Sequence, residues 1–152
     1  MKELYTCIGE IIENAQYLEH NLALMIVYHE ILKPFDKRKS VPANEFDKIE
    51  KKAWEIQDEL INATLGQVLS KVRQVTMLTI ADIKCLEKVL KQRNDIVHSY
   101  FKRHNFNKNG NNQQFINNRL NELDAITKEI NRVNTATCEI IKKQRVEYEA
   151  IG

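Results

Sequence analysis

Both prolines of this chain, Pro34 and Pro42, fall in one short stretch, and the whole sequence holds only four glycines. A chain so poor in turn-making residues cannot supply the many tight reversals of a β-sandwich or barrel. It can supply long helices, interrupted where the few punctuating residues stand. The apolar pattern agrees. Ile8, Ile11, Ala15, Leu18, Leu22, Met25 and Leu32 follow three- and four-residue steps, the spacing that gathers side chains on one helix face.

The same period recurs down the chain and predicts five helical segments. The first covers about residues 2–32, with Ile12 and Ile26 widening its stripe for more than one neighbour. Residues 33–44, with both prolines, form a loop, and Asn44 is placed to cap the next helix. There Phe46, Ile49, Ala53, Ile56, Leu60 and Ala63 repeat the three- and four-residue spacing, with Trp54 beside it. Thr64 and Gln67 have capping-box spacing and open a short helix to about residue 75, carrying Val68, Val72 and Val75. Thr79 and Asp82 open a fourth helix in the same manner, running to about residue 103. The Asn-rich residues 104–112, with Gly110, form a second loop. A last helix over about 112–148 buries Leu123, Ile126, Ile130, Val133, Thr137 and Ile140. The expected fold is all-α, one domain over residues 1–152, an up-and-down bundle of four long helices and one short one.

A net charge of +2 says little about partners, but its distribution says more. The first helix carries Glu3, Glu10, Glu13, Glu19 and Glu30 against Lys2 alone. Residues 88–108 carry Lys88, Lys91, Arg93, Lys102, Arg103 and Lys108 against Asp95, a basic stretch suited to phosphate or to solvent. Cys7, Cys85 and Cys138 are odd in number and far apart, which suggests reduced, mostly buried thiols in a cytoplasmic protein. The histidine spacings give no metal-ligand pattern, so neither metal nor cofactor is expected. No apolar run approaches the ~20 residues of a membrane span, and no signal pattern opens the chain.

The chemically pointed run is Arg93-Asn94-Asp95-Ile96-Val97-His98-Ser99-Tyr100. On a wheel of ~100° per residue with Arg93 at the origin, Leu86, Val97, Leu90, Ile83 and Phe101 fall between about 20° and 80°. That arc is the expected core stripe. Arg93 and Tyr100, at about −20°, flank one edge of it; Asn94 and His98, at about 100° and 140°, flank the other. Histidine titrates near neutrality and can move a proton. Arginine offers a permanent planar charge to a phosphate or its transition state. Asn94 can orient the imidazole or donate to a phosphate oxygen. An RNA 2′-hydroxyl is a built-in nucleophile, so such a set can cleave RNA without a metal. The plain alternatives are an Arg93 paired with an acid such as Glu19, a His98 at a polar rim, and a Tyr100 that packs. His104 reads as a loop residue beside Lys102 and Arg103.

The run resembles the active-site motif of the HEPN superfamily: an Arg, a polar residue, and a His after a spacer of four to six, here four residues. Tyr100, two residues beyond His98, fits the extended form in the HepT-type toxins of that superfamily. The motif spans eight residues, late on the fourth helix of a chain of HEPN size. The resemblance implies a metal-independent endoribonuclease, a toxin or phage-defence effector, whose composite centre forms across a homodimer. It implies catalytic roles for Arg93, His98 and Asn94. Tyr100, Lys102 and Arg103 are then candidates for substrate contact. Tyr100 is also the position that a nucleotidyltransferase-type antitoxin would modify. RNA, a second copy and that antitoxin are the expected partners, with no membrane. A non-catalytic HEPN-type module that binds RNA, nucleotide or protein is the alternative, and a plain helical scaffold a third.

Overall fold

The computed structural model describes residues 1–36, 41–75 and 77–151. Among them there is no strand. The helices are α1 (Lys2–Leu32), α2 (Ala43–Ile61), α3 (Leu65–Val75), α4 (Ile80–His98), the single-turn α5 (Tyr100–Arg103) and α6 (Phe106–Asn109), and the long α7 (Gln113–Ile151).

The helix starts follow local chemistry. Thr64 and Gln67 satisfy each other's backbone N–H groups at 2.8 and 3.3 Å, a complete capping box before α3. Thr79 Oγ1 accepts from the Asp82 N–H at 3.1 Å and caps α4. The expected cap at Asn44 is not used. Helix α2 starts two residues earlier, with Pro42 at the cap and its carbonyl taking the Glu45 and Phe46 N–H groups. Lys33–Asp36 forms a 3-10 turn inside the expected loop, and the rest of that loop, residues 37–40, lies outside the described residues.

Helix α1 is the spine. It buries Leu4, Ile8, Ile11, Ala15, Leu18, Leu22 and Met25 along one stripe, with Ile26, Val27, Ile31 and Leu32 extending burial around its C-terminal half. Each Leu, Ile, Val or Met among them contributes about 1.5–3 kcal/mol on leaving water. Its most extensive partner is α7, which buries Leu123, Ile126, Ile130, Val133, Thr137, Ile141 and Gln144. The stripe steps from Ile140 to Ile141 because a straight helix drifts off a seven-residue repeat. Two polar pins fix how α1 and α7 align. Asn21 Nδ2 donates to Asn134 Oδ1 at 2.7 Å, and the buried Gln144 Nε2 donates to the Met25 carbonyl at 3.0 Å. These pins make α1 and α7 parallel.

Cross-helix pairs give the other directions. Glu19 meets Arg93 and Tyr5 stacks on Phe101, so α4 runs antiparallel to α1. Asp82 meets Arg132 and Tyr100 meets Glu122, so α4 also runs antiparallel to α7. Helix α2 runs back along α1 over Val27, Ile31 and Ala53. The three cysteines are free and only partly buried, less enclosed than their apolar character suggests. No helix among the described residues is long and apolar enough to cross a membrane.

Candidate functional site

Helix α4 does not present the expected face to the core. Its buried residues are Leu86, Val89 and Ile96, and Tyr100 continues the row into α5. Ile83, Leu90 and Phe101 pack at the margin, while Val97 is 44% exposed. The buried arc is therefore turned by roughly 70° from the one expected, and Arg93 falls within it instead of at its edge. The reason is tertiary. Apolar residues occupy both arcs of α4, and contact with α1 and α7 together selects the one that holds Val89 and Ile96. The helix also stops at Ser99, whose φ of −136° breaks the spiral before α5, so it does not run on to residue 103.

Each member of the motif is changed by that rotation. Arg93 lies at the α1–α4 seam with its side chain 27% exposed. Its Nη1 donates to Asn94 Oδ1 at 3.2 Å, and its Nη2 stands 3.9 Å from Glu19 Oε1. The pairing with Glu19 is the one foreseen for a structural arginine. It is loose: the Arg93 Nε and Glu19 Oε1 are both buried without a hydrogen-bond partner. Burial pushes the Glu19 carboxyl above its ordinary pKa, and the attraction of Arg93 only partly offsets this. Asn94 and His98 face solvent. His98 occupies the last turn of α4 and makes no side-chain hydrogen bond or ion pair among the described residues. An imidazole there is open to a substrate.

Tyr100 is the clearest departure. It does not flank the stripe; it is 1% exposed, within a cluster of Phe101, His104 and Phe106 rings. Its hydroxyl donates to Glu122 Oε2 at 3.3 Å. Burial, and then the Glu122 carboxylate, hold the phenol well above its ordinary pKa. Arg103 is tied to Asp95 at 2.6 Å, whereas Lys102 is exposed and unpaired among the described residues.

Beside Tyr100 lies a polar cluster with no counterpart in the sequence reading. His104 lies in the turn after α5, as expected of a loop residue, but it is not free to join a phosphate patch: its side chain is 14% exposed and its ring contacts the Arg119 guanidinium. Arg119 pairs with Glu122 at 3.3 Å and lies over the Phe115 ring. Burial, and then Arg119, lower the His104 pKa and so favour the neutral ring. This cluster clamps the start of α7 onto the α4–α5 break. The signal in the sequence was the His104, Arg119, Glu122 set, but its members belong to different elements and nothing local joins them.

Among the described residues, no group of three or more His, Cys, Asp or Glu side chains is arranged to hold a metal ion. No family model, curated protein or solved structure matches the chain.

Proposed function

We propose that this chain is a metal-independent endoribonuclease of HEPN type, acting as a homodimer whose two Arg93–His98 faces meet. The observation that carries the reading is His98: an exposed imidazole without a partner among the described residues, at the end of α4, one turn beyond Asn94 and the Arg93 guanidinium that Asn94 holds. In the proposed reaction His98 takes the proton from an RNA 2′-hydroxyl, whose oxygen attacks the adjacent phosphorus. Arg93 faces the developing negative charge. The P–O5′ bond breaks, the departing 5′-oxygen takes a proton from the second copy's imidazolium, and a 2′,3′-cyclic phosphate remains. The motif of one chain supplies one histidine, so in this reading a second copy provides the acid. Val97, exposed on the same turn, is the apolar contact such a pairing would cover.

In this reading Asn94 holds Arg93 in place, and Lys102, unpaired among the described residues, is a cation for a flanking phosphate. Tyr100 packs and does not touch substrate. Modification by a nucleotidyltransferase partner sits poorly with a phenol that is buried and held by Glu122. The resemblance adds the biological setting, a cytoplasmic toxin or phage-defence effector. One observation favours a second reading: Arg93 is already engaged by Glu19, which suits a module that binds RNA without cleaving it.

Cleavage of single-stranded RNA in EDTA separates the two. The ribonuclease reading expects turnover that falls by roughly 10²–10⁴ in His98→Ala. His98 is exposed and unpartnered, so this variant should melt within about 0.5 kcal/mol of wild type. Undiminished cleavage by His98→Ala and Arg93→Ala overturns the site; binding without cleavage by wild type selects the second reading.

A further inference from the structure

A cleft of about 550 Å³ opens beside the motif, lined by Tyr5, Phe101, Lys102, Asn105, Phe106 and Asn107. That volume lies in the roughly 300–1,000 Å³ range of clefts that hold small organic groups. Its walls come from α1, α5 and the turn into α6, so the break at Ser99 creates it. Had α4 continued as one helix, Phe101 and Lys102 would not stand where they do. We propose that this cleft holds one unpaired nucleobase of single-stranded RNA, next to the phosphate presented to His98. The inference rests on the RNA-directed reading above and assigns its substrate subsite.

Three features argue for a base. The first is a flat aromatic surface. Tyr5 stacks on Phe101 at 5.4 Å and 29°, and Phe101 in turn packs on Phe106 at 4.8 Å. Tyr5 is nonetheless 57% exposed, a large amphipathic ring left open to solvent. Stacking on such a ring is the sequence-tolerant way proteins hold unpaired bases. The second is the pair of side-chain carboxamides. Asn105 and Asn107 are exposed, and neither side chain has a partner among the described residues. Each offers a donor and an acceptor in one plane, the chemistry that reads a base edge. Asn105 is fixed at the mouth by a left-handed backbone (φ 50°), a conformation Asn tolerates better than most residues. The third is charge. Among the described residues Lys102 is unpaired and no carboxylate lines the cleft, and Lys108 follows on α6 and is also exposed. A phosphate is favoured at its rim.

The placement links the cleft to the chemistry. Phe101 and Lys102 stand three and four residues after His98, just across the break at Ser99. In the proposed arrangement a strand whose scissile phosphate faces His98 places a neighbouring base over Tyr5. A duplex cannot use the site, because its bases are stacked on each other.

The test uses the full chain and a 12-nucleotide single-stranded RNA with 2-aminopurine at one position, whose fluorescence falls on stacking. Binding and cleavage are read separately. Tyr5→Ala and Tyr5→Leu should each weaken binding by roughly 5- to 150-fold and abolish the quench, while Tyr5→Phe retains both. Tyr5→Leu keeps apolar bulk on Phe101, so its loss points to the aromatic face and not to packing. Lys102→Ala should reduce the salt dependence by about one phosphate contact. Equal affinity and quench in wild type and Tyr5→Leu, equal binding of a duplex of the same sequence, or no binding of the single strand each overturns the cleft. Tyr5-dependent binding without cleavage supports the cleft and overturns only the ribonuclease reading; His98-dependent cleavage with Tyr5-independent binding does the reverse.

Discussion

Replacing Tyr100 by Phe tests whether the residue most suggestive of substrate contact is a core residue. The variant removes one oxygen and leaves the ring. The lost bond is the 3.3 Å donation to Glu122, whose side chain is 36% exposed. A hydrogen bond to a charged acceptor contributes about 1.5–3 kcal/mol, and a neutral one about 0.5–1.5. The length of this bond and the water available to Glu122 place it at the low end, about 0.5–1 kcal/mol. For a domain of this size that lowers Tm by roughly 1–4 °C. Tyr100→Ala removes the whole buried ring and should cost about 3–5 kcal/mol, leaving little folded protein at moderate temperature. The pH dependence has a definite sign. The folded state raises the phenol's pKa above its ordinary 10.0, so Tyr100 stabilises fully below that pH and loses the contribution as pH rises beyond it. Tyr148, held up to about 12 by its hydrogen bond to Glu50, adds to the same alkaline loss. Melts followed by circular dichroism from pH 7 to 11 should therefore show a smaller alkaline decline in Tyr100→Phe, while RNA cleavage at pH 7 stays within a factor of about two. An unchanged Tm together with a tenfold or greater loss of cleavage would refute the argument and restore Tyr100 as a substrate contact.

Three further outcomes are expected. Glu19→Gln should raise Tm at pH 7 and tighten RNA binding: the folded state raises the carboxyl's pKa above 4.5, so its charge opposes folding at neutral pH and also occupies Arg93. A lower Tm in that variant would show that the Arg93 pairing outweighs burial. His104→Gln should flatten the stability profile between pH 7 and 5. The folded state depresses the imidazole pKa below 6.5 by burial and by Arg119, with Arg103 acting likewise against Glu122 and Asp95, so wild type loses this contribution as pH falls below that value; equal slopes would refute it. Val97→Glu should leave the monomer's Tm nearly unchanged, since the side chain is 44% exposed, yet weaken self-association in sedimentation and reduce cleavage with it. Cleavage by a strictly monomeric Val97→Glu protein would remove the need for a second copy.

The helices were legible because their signals are local. Thr64–Gln67 and Thr79–Asp82 name their own helix starts, and the heptad-like rows of α1 and α7 name their own buried faces, because capping and periodicity involve residues within one or two turns. The motif was legible as composition: Arg93, Asn94 and His98 share a helix. Its exposure was not. Helix α4 carries apolar side chains on two arcs, and a wheel weighs them alike. Only contact with α1 and α7 decided that Val89, Ile96 and Tyr100 go inward, leaving Val97 and His98 outside. The break at Ser99 and the His104–Arg119–Glu122 clamp were hidden for the same reason. Both depend on where α7 lies, and α7 reaches them only after the intervening chain has folded back. The scarcity of glycine and proline thus settled by itself that this chain is helical. Which side of the motif helix meets water is a property of three helices packed together, and the tertiary structure alone could settle it.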